Sequence, residues 1–118
     1  MVIFVVDDVG TNLSVTRAVL EDHYNVVTIS SGKKTLAIIE KITPNLILLD
    51  IDMPEMSGFE VLTQLKSNPR HQHIPVIFLS GMIDDEMKSQ ALNLGAVDFI
   101  TKPFSPPELL KKVRLHIS

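Results

Sequence analysis

Cysteine and tryptophan are absent from this chain. With no thiol there is no disulfide, no thiolate nucleophile, no Cys-ligated zinc and no iron–sulfur cluster. The absence also fits a reducing compartment. A basic excess is missing too: 11 Lys and Arg stand against 14 Asp and Glu, for a formal net charge of -3 and a pI near 5.7. That balance argues against direct nucleic-acid binding and against an anionic membrane surface as the main partner. Apolar runs such as Leu46 to Leu49 fall far short of the ~20 residues that a membrane span requires. The N-terminus has no basic n-region, and Asp7 and Asp8 interrupt its apolar stretch, so no signal peptide and a cytoplasmic location are expected. Linkers, low-complexity segments and internal repeats are lacking as well. What remains is 118 residues, 45% of them hydrophobic. One core can be built from that, and a single domain over residues 1–118 is expected.

Two signals alternate along the chain. Short apolar runs rich in β-branched residues predict strands at Val2 to Val6, Asn25 to Ile29, Leu46 to Leu49, Pro75 to Leu79 and Asp98 to Thr101. Three of these are nearly continuous in Val, Ile, Leu and Phe, as strands covered on both faces are. Between them lie stretches with helical spacing. Leu13, Thr16 and Leu20 share a face with Val19 beside it, and Leu36, Ile39 and Ile42 make a second face. Phe59, Leu62 and Leu65 make a third. Met87, Ala91 and Leu94 make a fourth, which stops at Gly95, a C-terminal cap. Ser105-Pro106-Pro107-Glu108 has a capping-box pattern with Pro at the first helical position, and Leu110, Val113 and Ile117 form the face that follows. The order is βα repeated five times. Right-handed crossovers turn it into an α/β fold, a doubly wound five-stranded parallel sheet with helices on both sides.

In such sheets chemistry gathers at the carboxyl ends of the strands, near the topological switch point. The first strand ends in Asp7-Asp8. The third ends in Asp50, with Asp52 two residues on. The fourth ends in Ser80 and the fifth in Lys102-Pro103. Singly, each is ordinary: acidic pairs cap helices, Asp starts loops, and a lone Ser or Lys is most often a surface residue. As a set on one rim they are restrictive. Carboxylates packed together repel and raise one another's pKa, and a divalent cation relieves the repulsion. Hard oxygen donors favour Mg²⁺, which accepts one or two carboxylates together with waters and a phosphoryl oxygen. Lys102 adds a point charge suited to phosphate, and Ser80 can donate one hydrogen bond to it. These are the parts needed to transfer a phosphoryl group onto an aspartate.

Four stretches, in order and correctly spaced, carry a family resemblance. They are Val5-Val6-Asp7-Asp8, then Leu46 to Pro54 with Met56 and Gly58, then Pro75 to Ser80, and Gly95 to Phe104. The chain resembles the receiver domains of two-component response regulators over essentially its whole length, which implies the (βα)5 flavodoxin-like receiver fold. The resemblance implies that Asp50 is the phosphoacceptor. Asp7 and Asp8 would hold Mg²⁺ together with Asp50 and the backbone carbonyl of Asp52. Lys102 would pair with phosphoryl oxygens, Ser80 would be the switch hydroxyl and Phe99 the switch aromatic. The Lys102-Pro103 bond is expected to be cis. Asp52 and Met82 stand where such domains tune the lifetime of the phosphoryl group. The partners implied are a histidine kinase or phosphotransfer protein, and an output domain or downstream protein controlled through the face of the fourth helix, fifth strand and fifth helix. Chemistry beyond self-phosphorylation from a phosphodonor and slow loss of the phosphoryl group is not expected. The opening Asp8 to Leu13 is similar to receivers within longer regulators.

Three other readings compete. Leu48 to Asp52 also resembles the strand and DxD signature of haloacid-dehalogenase-type phosphatases, with Asp50 as nucleophile and Asp52 as acid–base. Met53-Pro54 departs from that pattern, and Asp7-Asp8 precede the nucleophile rather than follow the lysine. A flavin-binding module would need a phosphate loop after the first strand, where two aspartates would repel phosphate. A degenerate receiver is disfavoured by the complete residue set. Four histidines are set aside: His71 and His73 are expected in a solvated loop before the fourth strand, His23 in a turn, and His116 in the last helical turn, where a cation suits the helix dipole.

Overall fold

Alternation of apolar and polar residues is missing from the central strands because both faces of the sheet are covered. The structure is a computed structural model and describes residues 1–117; Ser118, the last residue of the expected domain, lies outside the described residues. The elements run β1 (Val2–Val6), α1 (Gly10–Leu20), β2 (Asn25–Ile29), α2 (Gly32–Ile38), β3 (Leu46–Leu49), α3 (Gly58–Lys66), β4 (Val76–Ser80), α4 (Asp85–Asn93), β5 (Asp98–Thr101) and α5 (Pro106–His116). The five strands form one parallel sheet in the order β2-β1-β3-β4-β5. Every residue of β3 and β4 is buried.

The period of two along each strand sends alternate side chains into two separate cores. Phe4, Val6, Ile47, Leu49, Val76 and Phe78 face the core closed by α2, α3 and α4, through Ile39, Val61, Leu62, Leu65 and Ala91. Ile3, Val5, Leu46, Leu48, Ile77 and Leu79 face the core closed by α1 and α5, through Leu20, Leu109 and Val113. Four helices start on side-chain caps: Ser31, Ser57, Asp84 and Ser105 each accept the backbone N–H three residues on. A cap of this kind contributes about 1 kcal/mol. Gly95 has φ +106, the left-handed conformation that closes α4.

Four details differ from the sequence reading. Strand β4 is shifted by one residue, from Pro75–Leu79 to Val76–Ser80, because Ser80 pairs in register with Thr101 of β5. In α5 the fully buried residues are Leu109 and Val113, an i,i+4 pair aimed at the sheet. Leu110 and Ile117 lie on the flank of that core and are only partly buried. Helix α2 ends at Ile38, the N–H groups of Lys41 and Ile42 both turn back onto the Ile38 carbonyl, and Ile42 is exposed. Pro44 blocks any regular continuation. His71 is buried at the start of the turn into β4, whereas His73 is exposed as expected.

β1 is the switch point of the sheet: β2 lies on one side of it and β3 on the other. The crevice this creates opens above the carboxyl ends of β1 and β3.

Candidate functional site

Backbone ladders bring the acidic residues to that crevice. The Asp7 N–H donates to Ile29 O at 3.1 Å and the Asp50 N–H to Val6 O at 2.9 Å, so each aspartate directly continues its strand. Carboxylate oxygens of Asp7, Asp8 and Asp50 all lie within 4.8 Å of one another. Asp7 and Asp50 are buried and Asp8 is exposed, so the cluster has a closed floor and an open rim. Asp7 Oδ1 also accepts the Val9 N–H at 2.9 Å, which fixes its rotamer.

Lys102 reaches the cluster from β5. Its Nζ donates to Asp7 Oδ2 at 2.6 Å and stands 4.0 Å from Asp50 Oδ1. Its backbone N–H bonds Ser80 O at 2.8 Å, which locks the ends of β4 and β5 together. The Lys102–Pro103 peptide is cis. Ser80 is fully buried at the end of β4. Among the described residues its hydroxyl makes only long contacts with the backbone of Met82, accepting from N at 3.4 Å and donating to O at 3.5 Å. Such weak bonds leave the hydroxyl free to exchange partners. Met82 itself is 79% exposed.

Burial pushes the Asp50 carboxyl up to about 6. The Lys102 ammonium opposes that rise, the Asp7 and Asp8 charges add to it, and a hydrogen bond from the Asp52 N–H opposes it. One cation therefore serves three crowded carboxylates, and its closest contact goes to Asp7 rather than Asp50. Hard oxygens, surplus negative charge and an open rim suit a divalent cation of the Mg²⁺ type. The side chain of Asp52 is exposed and outside the three-carboxylate cluster.

The loop after β3 is shaped to return to Asp50. The Met56 N–H bonds Pro54 O at 2.7 Å across Glu55, whose φ of 68° puts a side-chain-bearing residue in the left-handed region. The Gly58 N–H then bonds Ile51 O at 2.8 Å. A Cβ on Gly58 would stand 2.3 Å from the Asp50 carbonyl oxygen, so glycine is required where α3 starts against the site.

Phe99 is half-buried on β5, away from the carboxylates, with its ring flanked by two ammonium groups, Lys88 Nζ of α4 at 5.0 Å and Lys112 Nζ of α5 at 5.6 Å. Lys112 also donates to Phe99 O at 2.8 Å and pairs with Asp98 Oδ1 at 3.3 Å, while Asp98 Oδ2 meets His116 Nε2 at 2.9 Å. Asp98 is held below its ordinary pKa: burial works against this, but the Phe99 N–H and the His116 and Lys112 partners outweigh it. His116 thus serves a specific carboxylate, not only the helix dipole. Sequence reading passed over Lys88, Lys112, Asp98 and His116 as a group. The i,i+4 spacing of Lys112 and His116 on α5 is visible in the sequence, but their meeting with Asp98 of β5 and, across the Phe99 ring, with Lys88 of α4 is not.

A sequence model described as "Response regulator receiver domain" matches residues 3–114. The Vibrio cholerae protein named "Probable cyclic di-GMP phosphodiesterase" is 44% identical over 115 residues, covering 98% of this chain and 26% of that protein. "Response regulator PleD" of Caulobacter vibrioides is 39% identical over 113 residues, covering 95% of this chain and 25% of that protein. The chain thus spans about a quarter of the length of these relatives. The structure of Vibrio cholerae chemotaxis protein CheY4 superposes with a TM-score of 0.93 at 28% identity, covering 98% of both chains.

Proposed function

The chain belongs to the response regulator receiver domain family, and from that premise we propose that Asp50 is the residue that takes the phosphoryl group. The observation that supports this reading is the convergence of Asp7, Asp8 and Lys102 on Asp50 at the ends of β1, β3 and β5. A receiver role in a phosphorelay follows from the family; the residue roles are ours.

In the reaction an Asp50 carboxylate oxygen attacks phosphorus. The bond that breaks joins phosphorus to an imidazole nitrogen of a phosphohistidine, or to the leaving oxygen of a small acyl phosphate. The histidine product takes up a proton from water, an acyl donor leaves as its carboxylate, and water later attacks the phosphorus of the adduct, releasing inorganic phosphate and restoring the Asp50 carboxylate. Asp7, Asp8, Asp50 and the Asp52 backbone carbonyl would hold Mg²⁺. Bound there, the ion would screen the carboxylates and neutralise charge on the transferring group. Lys102 divides its charge between Asp7 and Asp50 and is placed to transfer it to a phosphoryl oxygen. Ser80, held only by long bonds to Met82, moves to a phosphoryl oxygen, and Phe99 rotates into the space it leaves. The face of α4, β5 and α5 then changes by a shift between two packings.

A histidine kinase or phosphotransfer protein is the donor in this reading, and an attached domain or a separate protein is the output. Residues 1–118 act as one unit in the cytoplasm and turn over no substrate. Among the described residues no helix is long and apolar enough to cross a membrane. Asp52 and Met82, exposed beside the site, tune the lifetime of the adduct, and its decay rate in Asp52→Asn reads this. The phosphatase alternative requires Asp52 to act on the same group as Asp50, and its side chain is outside the cluster.

Intact-mass analysis after incubation with Mg²⁺ and acetyl phosphate tests the assignment. The expected result is one labile phosphoryl adduct, absent from Asp50→Asn and absent without Mg²⁺. Steady release of phosphate with no adduct would replace it with the phosphatase reading.

A further inference from the structure

Phe99 is held differently by its two cations. Lys112 is anchored to β5 through Phe99 O and Asp98, and Asp98 is anchored to His116, so Lys112 is fixed to the strand whatever the ring does. Lys88 has no such anchor. Among the described residues its ammonium is in no ion pair, and the Phe99 ring, 5.0 Å away, is the group it meets. Lys88 lies within α4, whose apolar face (Met87, Ala91, Leu94) packs on the sheet. The ring is therefore a charged link between α4 and β5 in addition to that packing.

We propose that Lys88 is a positioning residue of the switch: its ammonium over the Phe99 ring joins α4 to β5 in the present packing and sets how readily the ring leaves it. This rests on Phe99 being the switch aromatic. A cation over an aromatic face is attracted by the ring quadrupole, and the attraction is lost when the face turns away. The contact thus exists in one packing only, and an interaction present in one state alone biases the equilibrium against the other. At a partly exposed site the bias is about two- to fivefold. Turning of Phe99 would at the same moment release Lys88 and with it α4, which gives the site a physical connection to the surface that changes.

The test compares wild type with Lys88→Gln, Lys88→Arg, Lys111→Gln, Phe99→Leu and Lys88→Gln/Phe99→Leu. Each is titrated with beryllofluoride in the presence of Mg²⁺, with NMR resonances of the Phe99 ring and of α4 amides as readout. Lys88→Gln is expected to tighten apparent beryllofluoride binding about two- to fivefold and to move the α4 resonances of the unliganded protein toward their liganded positions. Lys88→Arg keeps the cation and restores wild-type behaviour. Lys111→Gln, an equal charge change on the exposed side of α5, leaves affinity unaltered. In the Phe99→Leu background the Lys88 effect disappears. Wild-type behaviour of Lys88→Gln, or an equal effect without the ring, overturns the proposal while leaving the switch intact. Ring resonances that stay in place when wild type binds beryllofluoride overturn the reading of Phe99 itself, and the proposal with it.

Discussion

Asp50 is the residue whose surroundings conflict most with its charge. It is buried beside Asp7 and Asp8, and Lys102 is nearer to Asp7 than to it. Its carboxyl, raised from 3.8 to about 6, binds a proton more tightly in the folded protein than in the unfolded chain. Its contribution to stability is therefore greatest below about pH 4 and is lost as the pH rises through the folded value. Other carboxylates titrate in the same range, so the informative quantity is a difference. With metal chelated, the unfolding free energy of wild type minus that of Asp50→Asn should fall as the pH is raised from about 4 to 7 in urea titrations. A difference that stays flat would mean that Asp50 is not the strained member of the cluster. The identity of these residues was legible, because chemistry-bearing side chains stood directly after apolar runs. The split of Lys102 between two carboxylates was not, since it depends on ångström differences between three strands.

At the scale of elements, the βα repeat was readable because β1, β3 and β4 are nearly continuous in apolar residues and four of the five helices begin on a side-chain cap. Ser105 with Pro106 and Glu108 is the clearest case. The errors fell where local spacing offers two registers. Leu109 and Leu110 are both apolar, and only the packing of α5 on β1, β3 and β4 selects Leu109 for full burial. The His71-x-His73 pair looked like one solvated loop, yet the turn before β4 buries the first and exposes the second. The β3–α3 connection makes a prediction at this scale. A Cβ at Gly58 meets backbone, Asp50 O at 2.3 Å and Ile51 Cα at 2.9 Å, and backbone yields little. Gly58→Ala should cost about 1–3 kcal/mol by overpacking. It should also lower the rate of adduct formation, because the carbonyl displaced belongs to Asp50. Equilibrium unfolding and intact-mass kinetics measure the two effects separately, and a variant with normal stability and rate would remove Gly58 from the site.

The whole molecule adds a linkage between metal and fold. Asp7 and Asp50 follow β1 and β3, which become neighbours only when the sheet has formed. The unfolded chain therefore offers no such site, and in the proposed reading Mg²⁺ held there stabilises the folded state by mass action. At a hundredfold excess over its dissociation constant the gain is about 2.7 kcal/mol, a rise in Tm on the order of 10 °C. The increment should vanish in Asp7→Asn while an exposed acidic control, Glu60→Gln, retains it. Equal shifts in both variants would indicate non-specific ionic effects. In the proposed switch the same sheet carries the signal outward. The site lies at the ends of β1, β3 and β5, Phe99 lies on β5, and α4 and α5 reach its ring through Lys88 and Lys112.

Residue order alone determined the family, the parallel α/β architecture and the site's constituents, because continuous apolar runs, helix caps and residues adjoining strand ends are all local properties of the chain. The sharing of Lys102, the closure over Asp50 that requires Gly58, the choice of Leu109 as core and the charged surround of Phe99 were decided by the tertiary structure. Each joins segments remote in sequence, and their distances are set by strand order and helix packing rather than by spacing along the chain.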